Sequence, residues 1–158
     1  MRPTPDRARE TLFNWLQAGI NGAICLDLFA GTGALGFEAV SRGADRVVMV
    51  EQQQLLCDRI RQTMEMLKTD DIELVHADAL QWIQTCEQKF DLVFLDPPFH
   101  RNIHKIVCAI LLEKDLLLPD ARVYMESEPA VPVPGGFIME KQGQAGQVRF
   151  RLLKKQLD

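Results

Sequence analysis

Apolar and polar positions along this chain follow two periods, and the switches between them predict its elements. Over residues 5–18, Ala8, Leu12, Trp15 and Leu16 recur at the spacing of one helix face, and Pro5 suits a first turn. Ile24 to Phe29 is a short apolar run closed by glycines, which reads as a buried strand. A helix over 34–42 stops at Gly43, a second apolar run covers Arg46 to Val50, and Gln53 to Leu67 forms a long amphipathic helix. Ile72 to His76 predicts a third strand, 79–86 a helix, Phe90 to Leu95 a fourth strand and 102–113 another helix. Pro119 breaks the pattern, so the next strand is expected only at Arg122 to Glu126.

Strands that are apolar almost throughout are buried on both faces. Their alternation with helices implies a parallel sheet covered on each side. After Pro134-Gly135-Gly136 the pattern changes: 137–141 and 147–153 read as two strands joined by the turn-rich Gln142 to Gly146, an antiparallel hairpin. The expected architecture is a single α/β domain over residues 1–158, its parallel sheet finished by an antiparallel strand pair. Ligands of such sheets sit beyond the carboxyl ends of the strands, at the topological switch point.

Composition narrows the classes. Apolar residues make up 47% of the 158 and charged residues 25%, which is a globular balance rather than a disordered one. No apolar run approaches the roughly 20 residues that span a bilayer, and no secretory or lipidation signal opens the chain, so a cytoplasmic protein with no membrane partner is expected. Cys25, Cys57, Cys86 and Cys108 lie far apart and His76, His100 and His104 form no ligand pattern, so neither a disulfide scaffold nor a metal is expected. The net charge of −4 argues against a partner held by bulk positive charge. Positive residues nevertheless gather at Arg2, Arg7 and Arg9, at Arg101, His104 and Lys105, and at Arg149, Arg151, Lys154 and Lys155.

The chemistry starts with Leu26-Asp27-Leu28-Phe29-Ala30-Gly31-Thr32-Gly33-Ala34-Leu35-Gly36, a GxGxxG between the first strand and its helix. Glycines there let the backbone turn tightly and approach a ligand closely. Glu51 ends the next strand, where a carboxylate can accept from ribose hydroxyls. This much fits NAD, FAD or S-adenosylmethionine alike. Asp27 separates them, because a carboxylate beside the glycines repels a pyrophosphate but attracts the ammonium of S-adenosylmethionine. Its competing role is a strand-end cap for nearby amides. Asp78, after the third strand, can accept from an adenine amino group or cap the helix that follows, and both roles stay open.

The fourth strand ends in Asp96-Pro97-Pro98-Phe99. Two prolines cannot extend a ladder and hold a rigid exit from the sheet. The Asp96 side chain and the Pro97 carbonyl can together receive both N–H bonds of one exocyclic amine, aligning its lone pair for methyl transfer. Phe99 offers an apolar face on which a flipped-out base can stack. Alone, this segment reads as a turn with a buried Phe; following the glycine loop, the chemical reading prevails.

These residues resemble the bacterial small-subunit ribosomal RNA guanine-N2 methyltransferases of the RsmD type, within the class I (Rossmann-like) methyltransferases. The resemblance rests on Arg2-Pro3-Thr4 with Asp6-Arg7, Arg9-Glu10-Thr11-Leu12-Phe13-Asn14, Asp27 to Gly36, Glu51, Asp96 to Phe99, Tyr124 to Glu128 and Ala145-Gly146-Gln147-Val148. It implies a seven-stranded, mostly parallel sheet with helices on both faces. It also implies S-adenosylmethionine as cofactor and the N2 amine of a guanine in 16S ribosomal RNA, within a ribosomal particle, as target. The implied cofactor contacts are Asp27, Phe29, Ala30, Gly31, Thr32, Gly33, Glu51, Gln52, Asp78, Ala79 and Asp96; the amine and base contacts are Asp96, Pro97, Pro98 and Phe99. Arg2, Thr4, Arg7 and Arg101 fall on the RNA side, and a monomer is expected. Members carry a basic, glycine-containing hairpin before the Arg-Pro-Thr segment, with which this sequence opens, so weak RNA affinity beside ordinary cofactor binding is expected.

Competing functions are an amine methyltransferase for adenine N6 or a protein glutamine, a NAD-type oxidoreductase, and a non-catalytic assembly factor. Asp27 opposes the second, and an intact Asp96 to Phe99 opposes the third.

Overall fold

The computed structural model of the chain describes residues 6–97 and 102–157. Arg2, Thr4, Pro98, Phe99 and Arg101 lie outside the described residues. The described chain forms α1 (Asp6–Trp15), β1 (Ile24–Asp27), α2 (Ala34–Ser41), β2 (Arg46–Glu51), α3 (Gln54–Leu67), β3 (Ile72–His76), α4 (Ala79–Thr85), β4 (Phe90–Leu95), α5 (Ile103–Glu113), β5 (Leu117–Ser127), β6 (Phe137–Ala145) and β7 (Val148–Lys155).

The seven strands form one sheet in the order β3-β2-β1-β4-β5-β7-β6. β1 pairs in parallel with both β2 and β4, so the chain builds outward to β3 and then returns to the middle. The switch point therefore lies between β1 and β4, where Asp27 ends β1 and Asp96 follows β4. β7 runs antiparallel between β5 and β6 and closes the sheet.

Alternation along each strand sends side chains to opposite faces. Cys25, Val47, Met49, Leu92, Phe94 and Tyr124 pack with Ala8, Leu12 and Phe13 of α1, Leu35 and Ala39 of α2 and Ile60 of α3. Leu26, Val48, Val50, Val93, Leu95, Val123 and Met125 pack instead with Ile83 of α4 and Val107, Cys108 and Leu111 of α5. Helices thus cover both faces, which is why the inner strands are apolar at nearly every position. The four cysteines are buried, and burial pushes the Cys25 and Cys108 thiols up to about 12, so they behave as small apolar residues.

Several boundaries differ from the sequence expectation: α1 ends at Trp15 rather than 18 and β1 at Asp27 rather than Phe29, and the larger differences are in β5 and the hairpin. β5 starts at Leu117 rather than Arg122, because Pro119 sits in a bulge and does not interrupt the strand. Phe90 pairs with Leu117 and Leu92 with Arg122, so the residues from Leu118 to Ala121 are looped out opposite Asp91. Pro119 needs no ladder bond there, and Asp120 takes a φ of 63° to re-enter the sheet. In the hairpin the turn is much tighter than Gln142 to Gly146. Ala145 already pairs with Val148, leaving Gly146, at φ 60°, and Gln147 as a two-residue turn.

Candidate active site at the β1–β4 switch point

The glycine loop leaves β1 at Asp27 and enters α2 through Gly33, whose φ of 85° lies in the left-handed region. Gly36, one turn into α2, has a different reason to be glycine. A Cβ there would stand 2.4 Å from the Met49 methyl, 3.1 Å from Val47 and 3.3 Å from an Asp27 oxygen. The bare backbone lets α2 lie close on β1 and β2, and the Gly36 N–H donates to Asp27 Oδ2 at 3.2 Å.

Asp27 is 2% exposed. Burial raises its carboxyl to about 7, the Gly36 N–H pulling it down and the charges of Glu51 and Glu126 pushing it further up. The shift marks Asp27 as a buried carboxyl at the switch point, which makes it a candidate site residue.

Glu51 ends β2 and is also buried. Its Oε1 accepts from the Gly31 N–H at 2.7 Å and its Oε2 from the Gln53 N–H at 2.8 Å. One carboxylate thus pins the glycine loop to β2 and holds the turn that leads into α3, a structural role that the sequence reading did not include. Each carboxylate oxygen keeps a further acceptor position, which a ribose hydroxyl can use. Asp78 settles as the N-cap of α4, its Oδ1 accepting from the Gln81 N–H at 3.0 Å. Its side chain nevertheless lines the same cavity as Glu51. That cavity, of about 300 Å³, lies between Phe29, Gln52, Ala79, Leu80 and Ile103, and among the described residues its lining contains no Lys or Arg.

Phe29, Glu51, Gln52, Asp78 and Ala79 therefore come together around one cavity. Asp27, Ala30, Gly31, Thr32 and Gly33 stand at the β1 end beside it, with Ala30 tied by its N–H to the Val50 carbonyl at 3.0 Å and Thr32 exposed. Asp96 and the buried Pro97 follow β4 on the next strand. Arg7 is exposed in the first turn of α1. That helix ends at Trp15, which lines a cavity with Asp91 and Leu92 at the start of β4, so Arg7 stands toward the carboxyl ends of the strands.

Sequence reasoning missed the polar group at the end of β5. Tyr124 donates its hydroxyl to Glu126 Oε2 at 2.8 Å, both side chains being buried. Burial first, then Glu126, and then the charge of Asp96 push the Tyr124 phenol well above its ordinary value, so it stays a donor. The Tyr124 ring sits edge-on to Phe94, which packs on Phe13 of α1. His104 Nε2 lies 2.8 Å from the Glu126 carbonyl, tying the first turn of α5 to β5. Arg151, 1% exposed, donates to Ser127 Oγ at 2.8 Å and to the Val131 carbonyl at 2.7 Å, fastening the segment after β5. Two signals were there: Tyr124 to Glu128 is among the stretches that carry the resemblance, and a Tyr and a Glu two apart in a strand share one face.

The family described as Conserved hypothetical protein 95 matches residues 1–154. The chain is 38% identical over 158 residues to ribosomal RNA small subunit methyltransferase D of Haemophilus influenzae, covering 96% of this chain and 82% of that one. To the protein of the same name in Escherichia coli K12 it is 36% identical over 159 residues, covering 99% and 80%. Among solved structures, the Escherichia coli protein yhhF matches with a TM-score of 0.90 at 35% identity, over 99% of this chain and 92% of that one. A conserved protein from Streptococcus pyogenes matches at 0.86 and 31% identity, over 94% and 95%. With matches that run almost end to end, the chain belongs to the RsmD family and has the class I, Rossmann-like methyltransferase fold.

Proposed function

We propose that this protein transfers a methyl group from S-adenosylmethionine to the exocyclic N2 amine of a guanine in small-subunit ribosomal RNA, within a ribosomal particle. The observation that carries the reading is the pairing of a buried carboxylate at the β1 crest, Asp27, with an Asp-Pro corner on the adjoining strand. S-adenosylmethionine supplies, when bound, a methyl group activated by a positively charged sulfur.

The residues suit that cofactor. A flat adenine ring fits the largely apolar walls at Phe29, Val50, Ala79, Leu80 and Ile103, with Asp78 at their edge. Glu51 is placed to accept from ribose hydroxyls, and Asp27 to attract an ammonium group. The absence of Lys and Arg from the described cavity lining suits a cofactor without phosphates.

The Asp96 carboxylate and the Pro97 carbonyl hold the two N–H bonds of the target amine. An amine on an aromatic ring is a weak nucleophile because its lone pair is delocalised; fixing it close and aligned supplies much of the rate. The same two acceptors stabilise positive charge growing on the nitrogen during transfer. By the family resemblance we assign Pro98 and Phe99 to the base, and Arg2, Thr4, Arg7 and Arg101 to the RNA. The named relatives, which are ribosomal RNA small subunit methyltransferases, support the target class.

The deciding experiment incubates the protein with isotopically labelled S-adenosylmethionine and unmodified small-subunit particles, then maps methylated nucleotides by mass. A single N2-methylguanosine is expected. Label on adenine N6 or on a protein glutamine instead would overturn the proposal.

A further inference from the structure

We propose that Glu126 determines the choice of base at this site, its carboxylate accepting the ring N1–H of the guanine whose N2 amine is held at Asp96. The assignment rests on the guanine-N2 reading above and adds the residue that reads the rest of the base edge.

The geometry comes from strand register. β4 and β5 run in parallel with Phe94 opposite Tyr124 and Leu95 opposite Met125. One residue beyond that pair stand Asp96, just past the end of β4, and Glu126 on β5, where paired strand backbones lie roughly 4.8 Å apart. Alternation puts Asp96 and Glu126 on the face that also carries Phe94 and Tyr124, and Asp27 is paired with Phe94 in the same row. The charges of Asp96 and Glu126 both raise the Tyr124 phenol, and the charge of Glu126 also raises Asp27, so the three carboxylates feel one another's field.

Glu126 is 5% exposed and is held in a defined orientation. The Tyr124 hydroxyl donates to its Oε2 at 2.8 Å, and His104 binds its main-chain carbonyl at 2.8 Å. The Tyr124 contact fixes the direction of the carboxylate, both of whose oxygens are acceptors.

The base edges then decide. Guanine presents two neighbouring donors, the N1–H and the N2 amine, to a surface that accepts hydrogen bonds at Asp96, at the Pro97 carbonyl and at Glu126. Adenine presents its N6 amine beside an unprotonated N1, whose lone pair would face the Glu126 carboxylate. Such a site rejects the wrong partner strongly, because a buried charged acceptor is left opposite another acceptor.

The test uses 2-aminopurine, which keeps the N2 amine, lacks the N1–H and carries nothing at C6. It is installed by splint ligation at the nucleotide that the wild-type protein methylates. The wild type should favour guanine over 2-aminopurine by about 10²-fold or more in kcat/KM. Glu126→Gln, whose amide can donate to an unprotonated N1, should narrow that ratio to below about tenfold while binding S-adenosylmethionine as the wild type does. Tyr124→Phe, which releases the carboxylate, should narrow it in the same direction. A wild type that uses both bases equally overturns the assignment without any variant. A ratio unchanged in Glu126→Gln, or in Tyr124→Phe should the first variant not fold, overturns it too. Failure of the wild type to methylate guanine at all sinks the underlying guanine-N2 reading instead.

Discussion

Burial decides the charge of Asp27, and its sign can be followed through pH. The carboxyl sits at about 7 in the folded protein, against an ordinary 3.8. Below pH ~4 both folded and unfolded chains hold the proton, and Asp27 makes no difference to stability. As pH rises toward 7 the unfolded chain releases its proton first, so stability falls by a few kcal/mol and then levels off. Asp27→Asn keeps an acceptor for the Gly36 N–H and removes that loss. It should melt higher than the wild type near pH ~8, with the gap closing toward pH ~4, while losing most affinity for S-adenosylmethionine. Thermal melts across pH measure the first effect and calorimetry the second; a gap independent of pH would show that Asp27 is not the titrating group. Asp96→Ala should separate from it cleanly, lowering turnover by about 10²-fold or more while cofactor affinity stays within a few-fold. The positions of Asp27, Glu51 and Asp96 at or just past strand ends were legible in the sequence, because they follow from local order along the chain. Glu126 was not, because its neighbours arrive from β4 and β1 and no spacing along the chain encodes that.

Among the elements, the glycine loop and the β5 bulge show different ways in which local sequence meets tertiary constraint. Gly33 is required by its own backbone, which has a φ of 85°, whereas Gly36 is required by the neighbouring strand. Gly36→Ala should therefore destabilise the protein, by about 1–3 kcal/mol, even though alanine is the better helix former. Chemical denaturation would show it, and Gly36→Ala in a Met49→Ala background should recover part of the loss by making room. Helix α2 was placed correctly by periodicity, but the reason for its third glycine appears only when Met49 and Val47 are packed against it. In β5 the proline signal was read at face value. Pro119 does forbid a ladder bond, yet the bulge opposite Asp91 supplies a position where none is needed, so the strand starts earlier than propensity suggests. The hairpin turn shrank for a related reason: Gln142 and Gln144 are poor strand formers by composition, but pairing with Arg151 and Arg149 on β7 holds them in the sheet.

For the whole molecule, strand order creates the site. Placing β4 beside β1 brings the Asp27 crest and the Asp96 corner onto adjacent strands, although they are far apart along the chain. If the cavity beside them is a S-adenosylmethionine site, saturating that ligand at about 100 times its dissociation constant should add about 2.7 kcal/mol to stability, a rise in melting temperature of several degrees. NAD should produce none, and a NAD-induced rise without one from S-adenosylmethionine would reverse the cofactor assignment. The sequence by itself determined the alternation of strands and helices, the two covered faces, the antiparallel close, and the acidic and glycine-rich strand ends, because periodicity and turn chemistry are local properties. Only the tertiary structure decided that Glu51 anchors the glycine loop, that Pro119 lies in a bulge, and that Tyr124, Glu126 and His104 meet beside Asp96. Those facts depend on which strands are neighbours and in what register, and register is a property of the packed sheet.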